Sequence, residues 1–269
     1  MTPRLLLGVL SVEARKLMSY RVDFWANTLV GTLSQFALAW ILWAAILTEP
    51  GQTVEGYTLE GIVLYYALVL LLGRLVSGPQ NPTDISQEIY DGSLSRYLLL
   101  PVGYLRVKYA QRLGLLVPSV VQALVLGALY LALAPLPADA GASLGRVGMG
   151  LAALALGNVL HYLLMALVQL VAFWADNVWS LVVMVVFVSR LLGGSWIPLD
   201  TFPPAVRGAL AWMPFEYLFG FPVDTLMGRV SPEEWLSGLA TGAAWAALLA
   251  LGVRLAWRRG TLRYTGVGI

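Results

Sequence analysis

The sequence predicts an all-α, polytopic membrane protein of six transmembrane helices, and two observations carry that prediction. First, 59% of the 269 residues are hydrophobic and only 12% are charged, with a mean hydropathy of +0.76. A soluble domain carries roughly 25% charged residues, so half that supply cannot cover an aqueous surface of this size. Second, the apolar residues gather in runs close to the ~20 residues that a bilayer-crossing helix needs. No ten-residue stretch alternates with a period of two, as a membrane barrel would. A cytosolic globular enzyme and a disordered chain are excluded. The net charge of +2 is too small to argue for nucleic acid.

Residues 4–20 read as an amphipathic helix on the cytoplasmic interface. Leu6, Val9, Leu10, Leu17 and Met18 are compatible with one face, while Arg15, Lys16 and Arg21 resist burial. A plain extension of the first span is the alternative. A cleaved leader is not expected, because the apolar stretch 5–10 is short and no small-x-small site follows. The spans fall at about 24–47, 61–76, 113–133, 147–173, 178–192 and 235–257, the fifth being shorter than the rest. Segments on one side hold Arg4, Arg15, Lys16, Arg21, Arg96, Arg106, Lys108, Arg112, Arg254, Arg258, Arg259 and Arg263. Those on the other hold only Arg146, Arg207 and Arg229. Basic residues favour the cytoplasmic side, so both termini are expected there, in the inner (cytoplasmic) membrane.

Between spans two and three, residues 82–101 form a cytoplasmic segment with two short helices. Asp84 is placed to cap the first, with Gln87 in capping-box register. Ile85 and Ile89 share a face; Gln87, Glu88 and Asp91 lie on others. Ser86 belongs to the same turn, and Gly92 permits a left-handed stop. Ser93 starts the second helix and Pro101 ends it. The acidic residues Asp84, Glu88 and Asp91 favour a protein partner over a rest on anionic headgroups. Between spans five and six, residues 193–234 are rich in proline and aromatic residues. Pro203-Pro204 suits a helix opening. Phe215, Tyr217, Phe219 and Phe221 are too apolar for an exposed loop and should sit at the interface or re-enter the membrane beside protein. An outer gate and a structural lid are both consistent with this segment.

The run from Ile85 to Leu105, ISQEIYDGSLSRYLLLPVGYL, resembles the cytoplasmic loop of type-2 ABC transporter permeases, whose similar subgroup carries I-S-x-E-I-x-x-G-x-L-S-x-Y-L-L-x-P-V-x-Y-L. Trp196-Ile-Pro-Leu-Asp-Thr-Phe-Pro-Pro204 and Trp212-Met-Pro-Phe-Glu-Tyr217 resemble the family's extracytoplasmic segment of short helices dipping into the membrane. Leu100 departs from relatives that place Arg before the proline. The resemblance implies a permease subunit of an ATP-driven exporter, paired with a second permease subunit, identical or homologous. Asp84, Ile85, Ser86, Gln87, Glu88, Ile89, Asp91 and Gly92 would form the coupling helix that enters a groove on a separate ABC ATPase. The outer gate would use Trp196, Pro198, Pro203, Pro204, Pro214, Phe215 and Glu216.

No cofactor is expected on this chain; ATP and Mg would belong to the ATPase. The sequence agrees, since neither Lys16 nor Lys108 follows a glycine and no phosphate-cradling loop exists. Cysteine is absent and His161 is the single histidine, so no catalytic centre or metal site is expected. Charges at membrane depth by default face a partner or a cavity. Arg74 could snorkel from the inner end of span two, and Arg190 could pair with Glu216. His161 reads as a hydrogen-bonded bundle residue, and Asp176-Asn177 as a solvated turn or cap. Gly238 and Gly242 form a small-residue step suited to packing within the subunit or at a dimer seam. A secondary transporter is the main rival, but the middles of the spans lack the carboxylates it would use. A scaffold subunit without an ATPase partner is another. An intramembrane hydrolase would need His161 beside a serine elbow, and no G-x-S-x-G occurs.

Overall fold

The computed structural model describes residues 21–49, 52–78, 82–99, 101–133 and 143–265, with side chains from residue 29 onward. The expected interfacial helix at 4–20 lies outside these residues. The described chain is helical, with no strand beyond an isolated bridge between Val54 and Tyr57. In order it forms α1 (Arg21–Ile46), α2 (Leu59–Ser77), α3 (Asp84–Tyr90), α4 (Leu94–Leu98), α5 (Tyr104–Leu133), α6 (Leu144–Gln169), α7 (Trp179–Leu192), α8 (Pro204–Leu210), α9 (Gly220–Met227) and α10 (Pro232–Thr261).

Helix starts follow local capping chemistry. Thr58 Oγ1 accepts from Gly61 N at 3.1 Å and Ser143 Oγ from Arg146 N at 3.2 Å, opening α2 and α6. Pro232 stands at the first turn of α10. There Ser231 and Glu234 exchange side-chain bonds with each other's backbone N–H at 3.2 and 2.9 Å.

Helix α6 is central and packs against α2, α9 and α10, whereas α1 rests on α2. Lipid supplies no hydrophobic force between helices, so close approach depends on small residues. A Cβ added at Gly238 would meet Phe221 at 2.5 Å, and one at Gly242 would meet Leu156 at 2.6 Å. The small-residue step of α10 is therefore occupied inside the subunit by α6 and α9. Large apolar side chains point outward instead, among them Leu38, Trp40, Leu124 and Leu251.

Five helices are long and apolar enough to cross a membrane: 29–46 of α1, then α2, α5, 144–173 of α6 with its 3-10 extension, and α10. The expected fifth span is different. Helix α7 has 14 residues, about 21 Å at 1.5 Å per residue, short of the ~30 Å hydrocarbon core. It ends beside the middle of a neighbour. Tyr65 Oη donates to Gly194 O at 2.7 Å and Tyr66 Oη to Trp196 O at 2.8 Å. Tyr66 lies seven residues into α2, about 10 Å along its axis. The chain then returns through Leu199–Thr201, α8 and α9. Tyr217, Phe219 and Phe221 of the aromatic run are buried in one cluster with Ala153, Leu154 and Leu160 of α6.

The start of α5 also differs from expectation. The helix begins at Tyr104, well before the apolar run at 113. Lys108 and Arg112, read from sequence as loop bases, are buried side chains of this helix. Their charges are answered by groups on the chain itself, which hydropathy cannot register.

Candidate functional site

The segment 82–99 is built against one end of the bundle. Ile85, Ile89 and Leu94 are buried in one cluster with Tyr104 of α5, Met165 and Ala166 of α6, Val182 of α7 and Val253 of α10. The polar contacts follow the same pattern. Lys108 Nζ lies 3.2 Å from Asp84 and 2.8 Å from Glu88. Tyr104 Oη donates to Glu88 Oε2 at 2.6 Å and Tyr97 Oη to Glu88 Oε1 at 3.3 Å. Lys108 also sits over both tyrosine rings, 5.7 and 5.9 Å from their centroids.

Two expectations are corrected here. The three acidic residues do not form one outward face, because Asp84 and Glu88 turn inward to Lys108. Of the three, only Asp91 is exposed, with Gln87 exposed one turn earlier. Nor does Asp84 cap α3; its carboxylate is committed to the lysine. The cap comes from the far side of the chain. Gln169 Oε1 accepts from Ile85 N at 2.8 Å and Ser86 N at 3.3 Å. This satisfies two of the helix's first-turn donors. Gly92 takes the left-handed conformation the sequence calls for, with φ 75°. Ser93 donates through its hydroxyl and its N–H to Asp91, which holds that carboxyl below its ordinary value. Tyr90 Oη donates to Ala175 O at 2.9 Å, and Tyr264 Oη to Gly92 O at 2.7 Å. The segment is thus fastened to α5, to the end of α6, to the turn before α7 and to the residues after α10.

Lys108, Gln169, Tyr104 and Tyr264 were not singled out from the sequence. Lys108 carried a usable signal, being one of two lysines in the chain and lying where a helix start meets two nearby carboxylates. Gln169 carried none, since its partner is some 80 residues away. Replacing Gln169 by leucine should cost about 1 kcal/mol, the usual value of a lost helix cap. Amide exchange at Ile85 and Ser86 should speed up while that at Ile89 changes less. Unchanged protection at both amides would exclude the capping role.

The segment between α7 and α10 gathers a second polar cluster. Arg229 Nη2 lies 2.8 Å from Asp200 and its Nε 3.9 Å from Asp224, with the guanidinium 3.8 Å over the Tyr57 ring. Tyr57 Oη donates to Asp200 and Asp224 at 3.2 and 3.3 Å. Asp200, Asp224 and Arg229 line a cavity of about 760 Å³ with Glu216, Trp212 and Tyr217. Of the predicted gate residues, Pro198 and Pro214 are buried, Trp196, Pro203 and Pro204 are exposed, and Phe215 and Glu216 lie between. Pro204 opens α8, as its sequence context predicts.

Inside the bundle, His161 Nδ1 lies 3.2 Å from Arg112 Nη2. Arginine only donates, so Nδ1 accepts and the imidazole is neutral. Arg112 also donates to Val76 O. Nearby, Asn158 Nδ2 donates to Leu75 O at 2.6 Å and accepts from Tyr109 Oη at 3.1 Å. His161 is thus a hydrogen-bonded bundle residue. Asn177 Oδ1 accepts from Trp179 N at 2.7 Å and opens α7, the capping role open to that turn. Arg190 is not brought to Glu216; the ion pairs of the described residues include neither side chain. Arg190 instead lines a cavity with Arg74.

Among the described residues no group of three or more metal-ligating side chains comes together. No curated protein matches the chain. A family model described as ABC-2 family transporter protein matches residues 33–268. That span takes in the 82–99 segment, the long apolar helices and the segment between α7 and α10, and the chain belongs to the ABC-2 family of transporter proteins.

Proposed function

We propose that this chain is the permease subunit of an ATP-driven exporter, with α3 and α4 as the element through which a separate ATPase moves it. The chain would cross the inner membrane six times with both termini cytoplasmic, α7 and its returning segment making the fifth crossing. A second permease subunit, identical or homologous, would complete the path. ATP and Mg would be held by the ATPase.

The observation that supports this reading is the fastening of α3. A helix that only rested on the bilayer would need no buried ion pair to α5, no cap from α6 and no bond from Tyr264. With them, a push on α3 reaches three membrane helices at once, as a rigid-body transition requires. The exposed surface left for a partner includes Gln87, Asp91, Arg96, Leu98 and Leu99, the last two 47% and 87% exposed. Two large apolar side chains beside one carboxylate suit a protein groove better than water.

The test is isolation of the tagged chain from its native membranes in mild detergent. An ATPase subunit with vanadate-sensitive hydrolysis should accompany it. Leu99→Asp should lower the retained ATPase about tenfold, the effect of roughly 1.4 kcal/mol, with membrane insertion intact. Absence of any ATPase, or full retention by the variant, would overturn the docking assignment.

A further inference from the structure

A cavity of about 250 Å³ lies between α1, α2, α5 and α7, lined among others by Thr32, Gln35, Arg74, Ser77, Ser119 and Arg190. Among the described residues its lining contains two guanidinium groups, four hydroxyls and a side-chain amide, and no carboxylate. Arg190 takes part in no ion pair among the described residues. Ser119, which lines the hollow from α5, is 3% exposed. Intramembrane arginine is costly and marks a functional site by default. Here two come to one hollow from different helices, although α2 carries Arg74 toward one membrane face and α7 carries Arg190 toward the other. They come to one hollow where α7 ends beside Tyr65 and Tyr66 of α2.

We propose that this cavity binds an oxyanion, a phosphate or carboxylate group carried by an amphiphile. Guanidinium groups bind such groups through paired N–H donors, and the serine, threonine and glutamine side chains can complete the shell. The volume sets the size of what enters. Pockets for drug-sized molecules occupy about 300–1,000 Å³, so this one suits a headgroup rather than a whole cargo. Gln35 is exposed, which places an opening beside α1. Leu38 and Leu42 follow on the same helix face, 69% and 55% exposed, where an acyl chain can lie. That continuity favours an amphiphile over a free ion. The inference deepens the transport reading by naming an anionic amphiphile as cargo or resident lipid, and it rests on that reading only for its role.

The test uses the purified, delipidated full chain in neutral detergent, without ATPase. Native mass spectrometry counts bound dioleoyl phosphatidic acid or oleate against dioleoyl phosphatidylcholine. The protein should hold both anionic probes at least roughly tenfold tighter than the zwitterion, the effect of one charge-assisted hydrogen bond. Arg190→Gln should remove most of that preference and Arg190→Lys keep part of it. Ser119→Ala, which should not disturb folding, should weaken anion binding several-fold. Competition by millimolar inorganic phosphate would support the oxyanion site and assign it to free anions; resistance to phosphate would support it and assign it to lipid. Equal binding of anionic and zwitterionic probes, or a preference unchanged in both Arg190→Gln and Ser119→Ala, would overturn the inference. Because no ATPase is present, failure here leaves the docking assignment standing, and loss of the ATPase partner would leave this result standing.

Discussion

Replacing Lys108 by methionine should destabilise the protein and release the segment 82–99. Lysine is the one cation within 4 Å of both Asp84 and Glu88 among the described residues. Removing one member of a buried ion pair typically costs about 3–5 kcal/mol, since the charge left behind stays poorly solvated. The carboxylates here retain 25% and 18% exposure, so water recovers part of that and a loss of roughly 2–3 kcal/mol is expected. Thermal melting in detergent should show it, and protease should cut the 82–99 segment faster. The second consequence separates a structural role from a coupling one. With Asp84→Asn and Glu88→Gln added, the stray charges are gone and most of the stability should return. The fixed geometry from α3 to α5 should not, so on the proposed function transport driven by the ATPase should stay low. A single variant that melts like the wild type would remove the ion pair from this account.

Gly193→Ala should have an effect as large. The new Cβ would collide with the Ser189 carbonyl and come within 2.8 Å of the Phe215 carbonyl and 2.9 Å of Phe219. Two of these obstacles are backbone. They cannot swing aside, and the Gly193 carbonyl also accepts from Gly220 N at 2.8 Å. Overpacking of this kind costs about 1–3 kcal/mol or more, and it falls on the point where α7 ends and the returning segment starts. Loss of the folded, monodisperse protein in detergent is the expected result. Gly148→Ala is the control, because a Cβ there meets nothing within 4 Å. If both variants behave like the wild type, the close junction is not what holds the outer segment.

The spans were legible because lipid imposes one requirement on every residue of a run, and a run can be read from composition. The stop at Gly92 and the proline start of α8 were legible because each depends on backbone limits of one or two residues. What escaped were features made by residues far apart. Asp84 is a good capping residue by type, but a buried lysine competes for its carboxylate and wins, and Gln169 supplies the cap. Arg112 looks like a loop base until Val76 O and His161 come to meet it. The length of α7 could be counted from sequence. That it ends beside Tyr65 and Tyr66, inside the depth of α2, could not. The two arginines at one cavity follow from that ending and are invisible to any reading that assigns each to its own end of a span.

The shortness of α7 also bears on the membrane itself. A helix of about 21 Å beside partners of full length gives this flank of the subunit two different hydrophobic heights. Lipid next to it must thin, or the returning segment must slide to fill the gap, each at a cost of fractions of a kcal/mol per ångström of mismatch. The balance between those two responses depends on acyl-chain length. Bilayer thickness should thus act as a control on this protein, with short-chain lipids favouring the arrangement seen here and long-chain lipids drawing the outer segment away from α2.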